Sequence, residues 1–162
     1  MEQSISVLFV CLGNICRSPT AEAVFKQKAA EAGLSLNIDS AGTHGYHIGS
    51  PPDKRSQAAG VERGYSFKGL KCRRVDESDF EKFDYILAMD NSNLSNLHGM
   101  SPAQYHDKIK LFLDYADEED KEVPDPYYGG KRGFELVLDL IETASDGLIA
   151  HIKANSANAQ HD

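Results

Sequence analysis

The chain lacks any apolar run approaching the roughly 20 residues needed to span a bilayer, so no membrane-spanning helix is expected. It also lacks a surplus of positive charge. Lys and Arg number 17 against 25 Asp and Glu, a net charge of −8. Nucleic-acid binding needs a basic face, so that class of partner is not expected. A small anion is still allowed, because a local pocket can be positive on an acidic protein. Cysteine is scarce and odd in number, at three. That makes a poor disulfide framework and fits a reducing compartment, here the cytoplasm. The opening Met1-Glu2-Gln3-Ser4 carries no basic region, so no Sec-type secretory signal is expected either. Internal repeats and linker-like stretches are missing, and no feature points to an oligomeric state. The 162 residues suffice for one domain with a real core and are too few for two ordinary ones.

What is present alternates between strand and helix signals. Ile5 to Val10 is apolar nearly throughout, as for a strand covered on both faces of a parallel sheet. Thr20 to Ala32 reads as a helix, with Ser18 as its N-cap, Pro19 at its first position and Gly33 as its end. Ala21, Val24, Phe25, Ala29 and Ala32 form its apolar stripe. Leu34 to Ala41 alternates weakly and reads as a second strand. It runs into a long loop from Gly42 to Pro52 that contains Tyr46 and two histidines. Asp53 is placed to cap a helix to Arg63, stopped by Gly64. Ser66 to Ser78 carries no clear signal. Phe83 to Met89 reads as a third strand ending at Asp90, Asn91 to Leu97 as a short helix, and Lys108 to Leu113 as a fourth strand. Asp114 to Glu122 is rich in carboxylates and reads as a solvated loop. A closing helix carries Phe134, Val137, Ile141, Ala144, Leu148 and Ile152 at helical spacing. The boundaries follow: one domain over residues 1–154 and a polar tail over 155–162. Strands alternating with helices predict an α/β fold, a parallel sheet wound by right-handed crossovers. Sites in such sheets lie beyond the carboxyl ends of the strands. Cys11, the Tyr46 loop and Asp90 all fall there.

Cys11-Leu12-Gly13-Asn14-Ile15-Cys16-Arg17-Ser18-Pro19 joins the first strand to the first helix. Such a junction can ring an anion with backbone N–H groups and add the helix dipole behind them. The spacing between Cys11 and Arg17 lets the backbone curl, and Gly13 is expected to supply the positive φ that a curl requires. Arg17 can grip two phosphate oxygens with its planar fork. The same N–H groups favour thiolate over thiol at Cys11 and make it a nucleophile. Ser18 can donate a hydrogen bond to the sulfur and help it leave. Cysteine attack on a phosphate ester also needs a general acid for the leaving group. Asp125, stiffened between Pro124 and Pro126, is the best candidate. The acidic run at Asp114 to Glu122 is unconstrained and less suitable. A bare Cys-x5-Arg pattern arises often by chance. The strand before it and the helix opening after it carry the argument.

Together with Asp125-Pro126-Tyr127-Tyr128, Ser40-Ala41-Gly42-Thr43 and Ala88-Met89-Asp90, this loop resembles the low-molecular-weight protein tyrosine phosphatases over nearly the whole chain. The resemblance implies a single three-layer α/β domain with a four-stranded parallel sheet and helices on both faces. It implies hydrolysis of phosphotyrosine and small aryl phosphates through a cysteinyl-phosphate, without metal or other cofactor, on tyrosine-phosphorylated proteins. By motif, Cys11 is the nucleophile, Arg17 the transition-state clamp and Asp125 the acid, later the base. Leu12, Gly13, Asn14, Ile15, Cys16 and Ser18 complete the phosphate-binding loop. Asn14, with Ser18 and Ser40 around it, holds the loop's shape, and Asp90 supports the network and the arginine. Cys16 either traps oxidised Cys11 as a disulfide or is a small core residue. A phosphotyrosine ring needs flat apolar walls, for which Tyr46 and Tyr128, with Leu12 or Ile15, are the choices. Tyr127 is a wall residue or merely exposed. Where the family commonly has His-x-Ala-Arg, this chain has Leu70-Lys71-Cys72-Arg73. Arg73 is kept and could pair with an acid. Two other functions compete. Arsenate reduction needs a further pair of cysteines that is missing, and a phosphotyrosine binder or phosphocarrier has no use for Asp125.

Overall fold

The apolar run at the start of the chain becomes the centre of the sheet. β1 (Ser6–Cys11) is buried at every residue, as a strand must be when both its faces are covered. A computed structural model gives the fold and describes residues 5–45, 47–117, 119–126 and 130–160, the side chains of 156–160 excepted. The elements that follow are α1 (Arg17–Glu31), β2 (Asn37–Gly42), α2 (Lys54–Glu62), α3 (Glu77–Lys82), β3 (Tyr85–Ala88), α4 (Asn91–Met100), β4 (Ile109–Leu111) and α5 (Gly130–Gln160). The four strands pair in the order β2-β1-β3-β4, all parallel. This is the expected four-stranded sheet.

Strand alternation then builds two cores. Val7, Phe9 and Cys11 face the side covered by α1 and α5, where they meet Val24, Phe25, Val137, Leu138 and Ile141. Leu8 and Val10 face the opposite side, against Phe80, Phe83 and Leu97 from the α3 and α4 region. The sheet is therefore the middle of three layers. Phe9 anchors the first core, edge-on to Phe25 at 5.5 Å and to Phe112 at 4.9 Å. The stripe expected on α5 is buried from Phe134 to Ile152.

Several local expectations change. α1 begins at Arg17, ahead of Thr20, and Ser18 is not its cap. Cys16 holds the cap position, and its side chain makes no capping hydrogen bond. Asp53 does cap α2, accepting from the N–H groups of Arg55 and Ser56. The unassigned stretch before Ser78 leads into α3, which opens with an Asp76/Asp79 capping box. β4 is shorter than Lys108 to Leu113. Phe112 and Leu113 leave the ladder in a 3₁₀ turn (Phe112–Tyr115) that buries both side chains completely. The acidic run after it is partly tied down, since Lys121 Nζ donates to the Ala116 carbonyl at 3.0 Å.

The Tyr115 carbonyl also explains Gly147 of α5. A Cβ there would lie 1.8 Å from that oxygen. Replacing Gly147 with alanine must push α5 off the turn, at a cost of about 3 kcal/mol of folding stability. Urea unfolding of Gly147→Ala measures it.

Candidate active site

The sheet register gathers the expected residues at one edge. Cys11 pairs with Gly42 of β2, and Val10 pairs with both Ala41 and Ala88 of β3. The loop after Cys11, the segment after Gly42 and Asp90 after β3 therefore leave the carboxyl edge side by side.

Neighbours on the outside of the loop set its shape. The carbonyls of Cys11 and Leu12 accept from the N–H groups of Thr43 (3.0 Å) and His44 (2.9 Å), and the Ile15 carbonyl from Asp53 N–H (2.8 Å). The Asn14 carbonyl accepts from Cys72 Sγ at 2.8 Å, and that of Cys16 from Thr20 Oγ1 at 2.7 Å. In a trans peptide, one residue's C=O and the next residue's N–H point in opposite directions. Carbonyls drawn outward at these five residues turn the following N–H groups inward, at Leu12, Gly13, Ile15, Cys16 and Arg17. That is an anion cradle.

The positive φ of the curl falls on Asn14, at 58°, and not on Gly13 as expected. Asparagine tolerates this region, and its side chain makes the bonds that hold it there. Asn14 Nδ2 donates to Ser18 Oγ (2.9 Å) and Ser40 Oγ (3.0 Å), and Asn14 Oδ1 accepts from Arg73 N–H at 2.8 Å. Gly13 serves for space instead, since a Cβ there would meet Ile15 Cγ2 at 3.2 Å and the His47 ring at 3.3 Å. Gly42 lies flat against the loop. A Cβ on it would stand 2.7 Å from the Leu12 carbonyl oxygen and 2.9 Å from Asn14 N. Ser18 does not cap α1 because its hydroxyl is engaged inside the loop, 3.0 Å from Cys11 Sγ.

Arg17 joins this loop to the third strand and to the distal segment. Its Nη1 donates to Asp90 Oδ2 at 2.7 Å and to the Val123 carbonyl at 3.1 Å. Asp90 is itself fixed, its other oxygen accepting from Asn93 N–H at the start of α4 (2.8 Å). Val123 N–H donates to the Met89 carbonyl at 2.7 Å, which brings the chain over the loop just before Asp125. Burial works against the Arg17 charge, but Cys11 and Asp90 outweigh it and raise its pKa, with Asp125 adding to them. Burial pushes the Cys16 thiol up to about 12, and the Cys72 thiol is raised for the same reason. Arg73 pairs with Asp39 and Asp79.

The structure thus bonds Cys11, Asn14, Ser18 and Ser40 into one network and pairs Arg17 with Asp90 at the other end of the loop. Leu12 lies at the surface and Ile15 is half-buried. Tyr46, Tyr127 and Tyr128 lie outside the described residues. The partnership of Glu22 with Ser40, and the backing roles of Gly42 and Cys72, are additions from the structure. Gly42 had a signal, a glycine closing the strand that pairs with Cys11. Glu22 was hidden by Lys26 one turn on, a spacing that ordinarily marks a solvent-facing ion pair. Among the described residues, no cluster of His, Cys, Asp and Glu is placed to hold a metal ion. No described helix is long and apolar enough to cross a membrane.

A strand-end cysteine inside a cradle of amides, with a buried arginine closing it, is the geometry of a Cys-x5-Arg phosphate loop. Comparison with known proteins gives the family. The low molecular weight phosphotyrosine protein phosphatase model matches residues 6–158. The low molecular weight protein-tyrosine-phosphatase YfkJ of Bacillus subtilis is 49% identical, over 92% of this chain and 96% of its own. The human low molecular weight phosphotyrosine protein phosphatase is 46% identical, over 82% and 85%. A crystal structure of a protein tyrosine phosphatase from Entamoeba histolytica superposes with a TM-score of 0.91 at 46% identity, covering 94% of this chain and 99% of that one. The chain belongs to the low molecular weight phosphotyrosine protein phosphatase family.

The raised Cys16 thiol has a consequence for stability. A cysteine ordinarily ionises near 9, whereas folded Cys16 keeps its proton to about 12. Between those values the folded state holds the proton that the unfolded chain has lost. Stability therefore falls as pH rises, by up to about 1.4 kcal/mol per pH unit from this group. Serine does not ionise in that window. Cys16→Ser should flatten the decline of unfolding free energy above pH 9, measured by urea titration at stepped pH.

Proposed function

We infer that the protein hydrolyses phosphotyrosine in proteins, and small aryl phosphates, through a phosphoryl group held on Cys11. In the first half-reaction the Cys11 thiolate attacks phosphorus. The S–P bond forms as the P–O bond to the ring breaks, and Asp125 gives its proton to the departing phenolate oxygen. In the second, Asp125 takes a proton from water, the water oxygen attacks phosphorus, and the S–P bond breaks to give inorganic phosphate. The inward N–H groups and the Arg17 fork hold the phosphoryl oxygens, whose charge changes most in the transition state. The Ser18 hydroxyl stabilises the sulfur each time it carries negative charge. Asn14, Ser40 and Asp90 keep the loop and the arginine in place.

The observation that carries this reading is the double hydrogen bond of Arg17 Nη1, to Asp90 and to the Val123 carbonyl. It links the nucleophile's loop to the segment bearing the acid, which two-step hydrolysis needs and a binding module or phosphocarrier does not. The ring walls in this reading are Tyr46 and Tyr128 with Leu12 or Ile15. Tyr127 stands beside them or outside. A cytoplasmic setting belongs to the same reading, supported by three cysteines that are all free thiols.

The test is release of p-nitrophenolate from its phosphate ester. Cys11→Ser should abolish it. Asp125→Ala should lower kcat by roughly a hundredfold or more, while inhibition by inorganic phosphate persists. An unchanged rate in either variant removes that residue from its role.

A further inference from the structure

Glu22 is a buried carboxylate with no part in the reaction just described. It lies on α1 one turn past Ser18 and is 4% exposed. Its Oε2 accepts from Lys26 Nζ at 2.6 Å, but that lysine side chain is 47% exposed, so water weakens the attraction. Burying a carboxylate beside so weak a partner is costly. The other oxygen, Oε1, accepts from Ser40 Oγ at 2.6 Å, and Ser40 leads to the nucleophile.

Counting protons along that path fixes its direction. The Asn14 side-chain amide cannot be turned over, because its oxygen receives the Arg73 N–H at 2.8 Å. Its nitrogen therefore faces both serines and gives one proton to each, at 2.9 Å and 3.0 Å. Each serine hydroxyl accepts from Asn14 and keeps one proton to donate. The Ser40 proton goes to Glu22. The Ser18 proton has Cys11 Sγ at 3.0 Å and the Ala41 carbonyl at 3.4 Å within reach. The sulfur is nearer and, as thiolate, accepts only. Without an acceptor at residue 22, the Ser40 proton has no partner on this path, and the hydroxyl turns away from Asn14 Nδ2 to find one. Asn14 then loses one of the two serines that seat its amide, and the Ser18 hydroxyl loses its fixed aim at Cys11 Sγ.

We propose that Glu22 is a positioning residue for the Cys11 nucleophile. As the fixed acceptor at the far end of the path, it commits the Ser40 proton, so that Ser40 Oγ stays turned to Asn14 Nδ2 and Asn14 stays seated against Ser18. The Ser18 hydroxyl then points at the sulfur. The proposal rests on Cys11 being the attacking group. It makes Glu22 act only through Ser18, which separates it from a residue that merely stabilises the fold.

The experiment is a double-mutant cycle of Glu22→Met and Ser18→Ala, with Glu22→Gln as the variant that keeps an acceptor oxygen. Two rates are read at neutral pH: kcat with p-nitrophenyl phosphate, and alkylation of Cys11 by iodoacetate, which does not depend on turnover. Glu22→Met should lower both about tenfold, the value of one hydrogen bond to a charged group, with KM little changed. In the Ser18→Ala background it should lower neither further. Glu22→Gln should stay within about threefold of the parent. Additive losses in the cycle, a Gln variant as slow as Met, or a Met variant as fast as the parent each overturn the proposal. Should Glu22→Met not fold, Glu22→Leu takes its place in the cycle, with the same outcomes. Turnover surviving in Cys11→Ser would instead overturn the reaction itself, and the alkylation rates would still report on Glu22.

Discussion

A left-handed residue that is not glycine must be held by its surroundings, and Asn14 is the only such residue among those described. Its backbone angle stores strain of order 1 kcal/mol. Four hydrogen bonds to Ser18, Ser40, Arg73 and Cys72 hold it there. These partners come from α1, from β2 and from the segment that bridges to β2 at Arg74. The sheet must be assembled before the loop can close, so the curl that makes the amides converge is a product of tertiary structure. A peptide of the same local sequence has no reason to adopt it.

Charge is managed by the same economy of placement. The protein is acidic overall, yet the loop presents inward amides and one buried guanidinium. Asp90 accompanies Arg17 and is itself pinned at the start of α4. One bidirectional carboxylate thus ties the first helix to the third strand, and the Val123 carbonyl extends the tie to the distal segment. The two further thiols are kept protonated by burial, which leaves Cys11 as the sulfur that the local field is arranged around.

Much of this was legible in the sequence, for reasons that can be named. β1 announced itself because a strand covered on both faces needs an unbroken apolar run. α5 did so because a long helix shows its period many times. Cys11 and Asp90 stand out because they lie at strand ends, which a parallel sheet exposes at one edge, and Arg17 because of its spacing from Cys11 at the opening of a helix. Ser18 reads both as helix cap and as donor to the sulfur, and the structure keeps the second, because one hydroxyl engaged with Cys11 does not also cap α1. The positive φ was given to Gly13 because glycine adopts it at least cost. The structure uses Asn14 because the side chain repays the strain with hydrogen bonds, which glycine cannot. α3 was missed because six residues give too little period to see. The role of Glu22 depends on contact with Ser40, eighteen residues away, and no local pattern encodes that.

Gly42 has one more implication. Its Cα lies so close to the loop that backbone rests on backbone, with no side chain between that could yield. The rear of the cradle is therefore backed directly by main chain, which leaves Leu12 to Asn14 no room to shift towards β2. Reorganisation energy is then spent once, during folding, and not in each catalytic cycle. The product must leave through the mouth by which the substrate entered, so the departure rate is governed by how strongly a preformed nest holds a dianion. An enzyme built this way balances tight grip in the transition state against slow release afterwards.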